Sequence, residues 1–216
     1  MKLPEISVLD HCVVPPVDGS EMTELMLVLH GRGDSYEGFA WLPQALAISG
    51  LGYVMVNAPD DYYGGFSWYD LPPNQEDGIV RSRKILDQLF DELCGESVAG
   101  RIDPKSLFVF GFSQGCLMSW EWGGRLPTQL GGVIGVSGYV FNSHALVEEF
   151  TEQAKATPRL ITHGRQDDVL PFSDSELQAD FLRDSGVPFE WHEYEKDHTI
   201  APEELAMIRH WIVERI

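Results

Sequence analysis

This sequence of 216 residues has few cysteines, few basic residues and no long apolar run. Its three cysteines (Cys12, Cys94 and Cys116) are an odd number without metal-site spacing, which favours reduced thiols and a cytoplasmic location over a disulfide framework. No stretch has the length of a signal-peptide core or a membrane span, so we expect neither a leader nor stable membrane association.

The charge is strongly one-sided, with 15 basic residues against 34 acidic ones and a net charge of −19. Such a surface repels phosphate backbones and anionic membranes, which argues against nucleic acid as a partner. Solubility, or adaptation to a salty environment, explains this acidity better than binding of a cationic partner does.

Apolar residues make up 44% of the chain, which is enough for one well-buried core. Residues 1–216 are therefore predicted to form a single domain. Short apolar runs rich in β-branched and aromatic residues alternate with helical patterns. The predicted strands are 24–30, 52–59, 106–112, 131–138, 158–164 and 188–194, and the predicted helices are 37–49, 76–94, 114–126, 173–185 and 202–215.

This alternation predicts an α/β fold with a mainly parallel central sheet, helices on both faces and no large cap domain. The segment "VLDHCVVPP" near the start is a candidate for one additional antiparallel strand. In a sheet of this kind, sites form at the carboxyl ends of the strands, so the loops that follow the strands are where chemistry is expected.

One such loop holds a serine between two glycines, in "VFGFSQGCLM" (109–118). Ser113 follows a predicted strand and precedes a predicted helix, the setting of a nucleophile elbow, and Gly111 and Gly115 remove side chains that would collide there. Ser67 and Ser137 each have the first glycine of the pattern but lack the second at the right position. Ser113 is therefore the candidate nucleophile.

A nucleophilic serine needs a base and an acid to orient it, in the chain order serine, acid, histidine for this architecture. The acid candidates are Asp167 and Asp168 in "THGRQDDVLP", which are equal on chemistry alone. The base candidate is His198, because it lies in the loop between the last predicted strand and the last predicted helix.

An oxyanion hole requires two backbone N–H groups beside the nucleophile. Gln114 directly follows the serine and is expected to supply one of them. The glycine-rich stretch "LHGRGDS" (29–35) follows the first strong strand, so the Arg32 N–H is the candidate for the second.

Taken together, these stretches resemble the phospholipase/carboxylesterase family of α/β hydrolases, which includes acyl-protein thioesterases and lysophospholipases. The resemblance spans essentially the whole chain and rests on "LHGRGDS", "GGFSWYDL", "FGFSQG", "HGRQDDVLP" and "DHTIAPEEL". The family's acid pattern, H-G-x-x-D, selects Asp167 over Asp168. The chain departs from the family at Asp197, where glycine usually precedes the catalytic histidine.

The resemblance implies hydrolysis of a small acyl ester or thioester through an acyl-Ser113 intermediate, with no metal and no cofactor. The first alternative is a lysophospholipase or an acyl-protein thioesterase; an acyltransferase and a non-catalytic receptor on the same fold are the others. Five aromatic residues lie in the 58–75 loop and in the segment after the predicted strand 131–138. They are equally consistent with acyl-pocket walls and with core packing: Phe66, Trp68, Tyr69, Tyr139 and Phe141. Whether two chains pair as a homodimer is left open.

Overall fold

The computed structural model describes residues 3–216, which form nine strands and seven α-helices. The strands are β1 His11–Val14, β2 Glu24–Leu29, β3 Leu51–Val56, β4 Asp60–Tyr62, β5 Gly65–Ser67, β6 Leu107–Phe112, β7 Gly132–Val136, β8 Arg159–Gly164 and β9 Glu190–Tyr194. The helices are α1 Leu42–Leu46, α2 Gln75–Cys94, α3 Gln114–Gly123, α4 Ser143–Glu149, α5 Glu152–Ala156, α6 Phe172–Asp184 and α7 Pro202–Val213. No helix in the described range is long and apolar enough to cross a membrane.

Seven strands form the main sheet, in the order β1-β3-β2-β6-β7-β8-β9. β1 pairs antiparallel with β3, and every other neighbouring pair in this sheet is parallel. The predicted mainly parallel sheet and the antiparallel strand near the start are thus confirmed. β4 and β5 form a separate antiparallel hairpin that the sequence patterns did not indicate.

The sheet is covered on both faces because its strands are apolar at successive positions. Along β2, Leu25, Leu27 and Leu29 pack on one face, whereas Met26 and Val28 pack on the other. The first face is covered by the apolar sides of α2 and α3, and the second by α1 and α7. This double burial explains why the strand sequences are continuous apolar runs rather than alternating ones.

The predicted helix over 37–49 was wrong in extent. The structure has a 3₁₀ turn at Tyr36–Phe39, followed by the short α1. A Cβ at Gly38 would lie 2.0 Å from Asp34 Oδ1, so the chain packs tightly against the preceding loop there, and Ala47 ends α1 in the left-handed region, with φ 43°. Helix α3 is also shorter than predicted and ends at Gly123, and the short helices α4 and α5 were not predicted.

Candidate active site

Ser113 lies in the sharp turn between β6 and α3, with φ 53° and ψ −113°, a conformation that non-glycine residues rarely adopt. The two flanking glycines are required by close backbone contacts. A Cβ on Gly111 would lie 2.2 Å from the carbonyl oxygen of Gly115, and a Cβ on Gly115 would lie 2.0 Å from that of Leu29. The second glycine therefore lets the start of α3 pack against the end of β2.

The structure brings Ser113, His198 and Asp167 together in a hydrogen-bonded chain. Ser113 Oγ lies 2.9 Å from His198 Nε2, and His198 Nδ1 lies 2.7 Å from Asp167 Oδ2. These three side chains come from the loops after β6, β9 and β8, at the carboxyl edge of the sheet. In this arrangement His198 can accept the serine proton while its other ring nitrogen donates to the carboxylate.

The two neighbouring aspartates lie in different environments. The Asp167 side chain is fully buried, and its second oxygen, Oδ1, accepts the N–H groups of Val169 (3.0 Å) and Leu170 (2.8 Å). Asp168 is exposed. Only Asp167 is therefore placed to orient the imidazole.

Asp197, the departure from the family pattern, is also exposed. Its Oδ1 accepts the Thr199 hydroxyl at 2.6 Å, and its backbone oxygen accepts the Thr199 N–H at 2.9 Å. The carboxylate is thus used in a local turn that shapes the loop carrying His198.

The loop after β2 lies against the nucleophile. A Cβ on Gly31 would be 3.3 Å from Ser113 Cβ. The N–H groups of Gly33 and Asp34 are bonded to the Phe66 and Gly31 oxygens, at 2.8 and 3.3 Å, whereas the Arg32 N–H has no acceptor among the described residues. Gln114 is the first residue of α3, so its N–H has no partner one turn back. These two N–H groups border the serine and are candidate donors for an oxyanion.

Sequence reasoning missed the buried histidine that supports this loop. His30 is 1% exposed; its Nδ1 lies 2.6 Å from Gly31 O, and its Nε2 accepts the Ala58 N–H at 3.0 Å. Burial lowers the pKa of His30, which keeps the ring neutral with one donor and one acceptor. The available signal was its position directly before the glycine-rich stretch.

The side chain of Gln114 has a second function beyond its N–H. Its Oε1 accepts the Trp68 N–H (3.0 Å) and the Ser67 hydroxyl (3.2 Å), and its Nε2 donates to Tyr69 O (2.8 Å). The start of the nucleophile helix therefore holds the segment that follows the β4–β5 hairpin.

The five aromatic residues that could form pocket walls or core differ in burial. Trp68 and Tyr69 are 0% and 1% exposed and belong to the core, which favours core packing over the pocket-wall interpretation for these two residues. Trp68 Nε1 donates to His30 O at 2.9 Å, which makes its ring part of the support for the loop after β2. Phe66, Tyr139 and Phe141 are half-buried and retain surface that a ligand could contact.

Cys116, one turn into α3, is not a second nucleophile. Its side chain is buried, and burial raises the pKa of the thiol to about 12, so the reactive thiolate is not populated at neutral pH.

Comparisons with known proteins agree with this geometry. The sequence profile of the family described as "Phospholipase/Carboxylesterase" matches residues 11–216. The chain is 30% identical to acyl-protein thioesterase 1 of Yarrowia lipolytica over 90% of its own length and 92% of the relative's. It is also 30% identical to carboxylesterase SOBER1 of Arabidopsis thaliana, over 88% and 90% of the two lengths.

Among solved structures, esterase PE8 superposes with a TM-score of 0.83 at 28% identity, covering 96% of this chain and 99% of that one. The fold, the order of the motifs and the relatives lead to one conclusion. This chain belongs to the phospholipase/carboxylesterase family of α/β hydrolases and is a serine hydrolase of that family.

Proposed function

We propose that this enzyme hydrolyses short- to medium-chain acyl esters or thioesters through an acyl-Ser113 intermediate. The observation that carries the proposal is the chain of hydrogen bonds from Ser113 Oγ through His198 to Asp167, at 2.9 and 2.7 Å. The free N–H groups of Arg32 and Gln114 border the same serine and complete the set needed for acyl transfer.

In the first step, Ser113 Oγ attacks the substrate carbonyl carbon while His198 Nε2 takes the serine proton. The carbonyl oxygen becomes an oxyanion, which the N–H groups of Arg32 and Gln114 stabilise. As the bond to the alkoxide or thiolate breaks, His198 returns the proton to that leaving group and the acyl-serine ester remains. Asp167 fixes the imidazole orientation and stabilises its charged form throughout.

In the second step, a water molecule repeats the sequence. His198 takes a proton from the water, whose oxygen attacks the acyl-serine carbonyl carbon and forms a second oxyanion in the same hole. The bond to Ser113 Oγ then breaks, His198 protonates the serine, and the carboxylic acid leaves.

The acyl site is inferred to be an open groove. Ser113 is half-buried. Phe66, in the β4–β5 hairpin, is also half-buried, and its backbone oxygen accepts the Gly33 N–H of the loop after β2. Since each buried methylene contributes about 0.8 kcal/mol, selectivity for chain length should rise only as far as such a wall extends, about four to ten carbons.

The main test measures kcat/KM along p-nitrophenyl and thioester series of increasing acyl length, with and without lipid vesicles and a chelator. We expect the maximum kcat/KM between about four and ten carbons, with no requirement for calcium. We also expect no requirement for vesicles, because a charge of −19 opposes binding to anionic surfaces. Activity that climbs past about sixteen carbons, or that needs vesicles, would favour a lipid substrate instead.

A second test identifies the nucleophile. A fluorophosphonate probe should label the wild type, and Ser113→Ala should abolish labelling and lower turnover at least about a thousandfold. The exposed Ser173→Ala is the matched control and should label normally. Labelling that persists in Ser113→Ala would place the nucleophile elsewhere.

The remaining alternatives differ in their products. The similarity to an acyl-protein thioesterase favours including thioesters, and an acylated peptide or a lysophospholipid would serve as further substrates. If the enzyme were an acyltransferase, added alcohol would divert the acyl group into a new ester at low alcohol concentration. A receptor would bind esters with no burst of leaving group.

We further propose that the chain acts as a single domain in a reducing compartment such as the cytoplasm. The support is that Cys12, Cys94 and Cys116 are all free thiols.

A further inference from the structure

A buried lysine lies in the loop that carries His198. Lys196 is 6% exposed, although lysine is almost never buried without a charged partner. Burial lowers the pKa of Lys196, and the adjacent Glu204 carboxylate opposes that shift. Neither residue belongs to the reaction proposed above, so the cost of burying this ion pair requires another explanation.

The Lys196 ammonium contacts three separate parts of the chain. Nζ lies 2.7 Å from both carboxylate oxygens of Glu204 on α7, 2.7 Å from the backbone oxygen of Thr199, and 3.1 Å from Ser137 Oγ at the end of β7. Glu204 is itself 0% exposed and also accepts the Ala201 N–H at 3.0 Å. The ion pair therefore joins the loop to the helix that follows it and to the sheet.

These contacts anchor the part of the loop that follows His198. Before His198, the backbone oxygen of Lys196 accepts the Gln166 N–H at 3.0 Å, which connects the His198 loop to the loop that carries Asp167. After His198, Thr199 and Ala201 are held by the Lys196–Glu204 pair. The loop is thus anchored on both sides of His198.

The contact with Ser137 connects the loop to the nucleophile as well. Ser137 directly follows Val136, whose backbone oxygen accepts the Ser113 N–H at 3.0 Å. The Ser137 side chain is fully buried, and its backbone φ is 48°. The Lys196 ammonium is therefore bonded to the strand end that sets the nucleophile turn.

We propose that Lys196 is a positioning residue for the reaction, holding the His198 loop at hydrogen-bond distance from both Ser113 and Asp167 through Ser137, Thr199 and Glu204. This inference rests on the proposed function. Its consequence is that removal of the ammonium lowers the rate of proton transfer more than substrate binding, because a small displacement of the imidazole is costly to the chemistry.

The test compares two variants. Lys196→Met keeps the length of the side chain but removes its charge. Lys196→Met/Glu204→Gln also removes the charge of the buried carboxylate that the first substitution leaves unpaired. The matched control is Lys155→Met, because Lys155 pairs with Glu152 at 2.7 Å on the surface. Each variant is measured for kcat and KM on p-nitrophenyl butyrate, for its rate of fluorophosphonate labelling, and for its melting temperature.

We expect Lys196→Met to lower kcat and the labelling rate by about 10- to 100-fold, with KM changed less than about threefold. The double variant should regain most of the lost melting temperature, since no unpaired charge stays buried, but not the lost kcat. Ser137→Ala should lower kcat by a smaller factor and keeps the test available if Lys196→Met does not fold. Lys155→Met should behave as wild type.

A double variant that recovers both melting temperature and kcat would reduce Lys196 to a structural role and overturn the inference. So would a kcat within about twofold of wild type in Lys196→Met, or a loss confined to KM. These results leave the proposed function intact as long as Ser113→Ala abolishes labelling. Labelling in Ser113→Ala would instead refute the proposed function.

Discussion

Replacing Asp167 with asparagine should place the imidazole proton on the wrong nitrogen. Asp167 Oδ1 accepts the N–H groups of Val169 and Leu170, so an asparagine must keep its carbonyl oxygen in that position. Its NH₂ group then occupies the place of Oδ2, 2.7 Å from His198 Nδ1. The imidazole would have to accept at Nδ1 and carry its proton on Nε2, the atom that faces Ser113.

The magnitude follows from the loss of the base. With Nε2 protonated, the serine proton has no acceptor, and we expect kcat to fall by about 10⁴-fold, which corresponds to about 5.4 kcal/mol in activation free energy. Folding should be affected far less, because the two backbone bonds and the size of the side chain are retained.

Steady-state kinetics on a short p-nitrophenyl ester and the rate of fluorophosphonate labelling measure the effect, with circular dichroism to verify folding. Asp168→Asn is the matched control, because that neighbour is exposed, and it should change the rate by less than about tenfold. A larger loss in Asp168→Asn than in Asp167→Asn would refute the assignment of the acid.

Three further predictions concern stability. Gly115→Ala should lower the free energy of unfolding in urea by about 3 kcal/mol, because its Cβ would lie 2.0 Å from Leu29 O. The control Gly123→Ala, whose Cβ would lie 3.5 Å from its nearest neighbour, should lower it by less than about 1 kcal/mol. Equal effects of the two substitutions would contradict the packing argument. Because burial lowers the pKa of His30, the unfolded chain takes up a proton below about pH 6.5 that the folded chain does not. The free energy of unfolding should therefore fall with falling pH by up to about 1.4 kcal/mol per unit from this group, a contribution that His30→Asn removes and the exposed His192→Asn retains. Raising sodium chloride from about 0.1 to 1 M should increase the melting temperature, because the Debye length falls from about 10 to 3 Å and the charge of −19 is screened; an unchanged or lower value would show that self-repulsion is unimportant.

The parts of the fold that the sequence predicted well are those with a strong local pattern. Helix α2 was predicted within one residue because its apolar residues recur on one stripe, and Ile79, Leu86 and Leu89 are indeed fully buried. The strands were recognisable because burial on both faces demands continuous apolar runs. The extent of α1 was not predicted, because its pattern of apolar residues does not reveal that a 3₁₀ turn replaces its first part and that Ala47 ends it in the left-handed region.

The same distinction applies to the candidate site. Ser113 and His198 could be proposed from chain order and loop position, whereas Asp167 needed the family pattern because its neighbour is chemically identical. The core position of Trp68 was not predictable, since an aromatic side chain is equally suited to a pocket wall and to a core. Lys196 gave no signal at all, because a lysine in a loop is ordinarily exposed and its burial depends on Glu204.

The strand order has a consequence for when activity can arise during synthesis of the chain. β6, which leads to Ser113, lies in the middle of the sheet between β2 and β7, and the residues it works with arrive from β8 and β9, with 85 positions separating Ser113 from His198. A nascent chain can therefore pair β1, β3, β2 and β6 before the segments that carry Asp167 and His198 have been synthesised. We therefore expect hydrolase activity only after β9 and the loop with His198 have left the ribosome and docked, so that turnover would report completed folding of the sheet rather than the nucleophile turn alone.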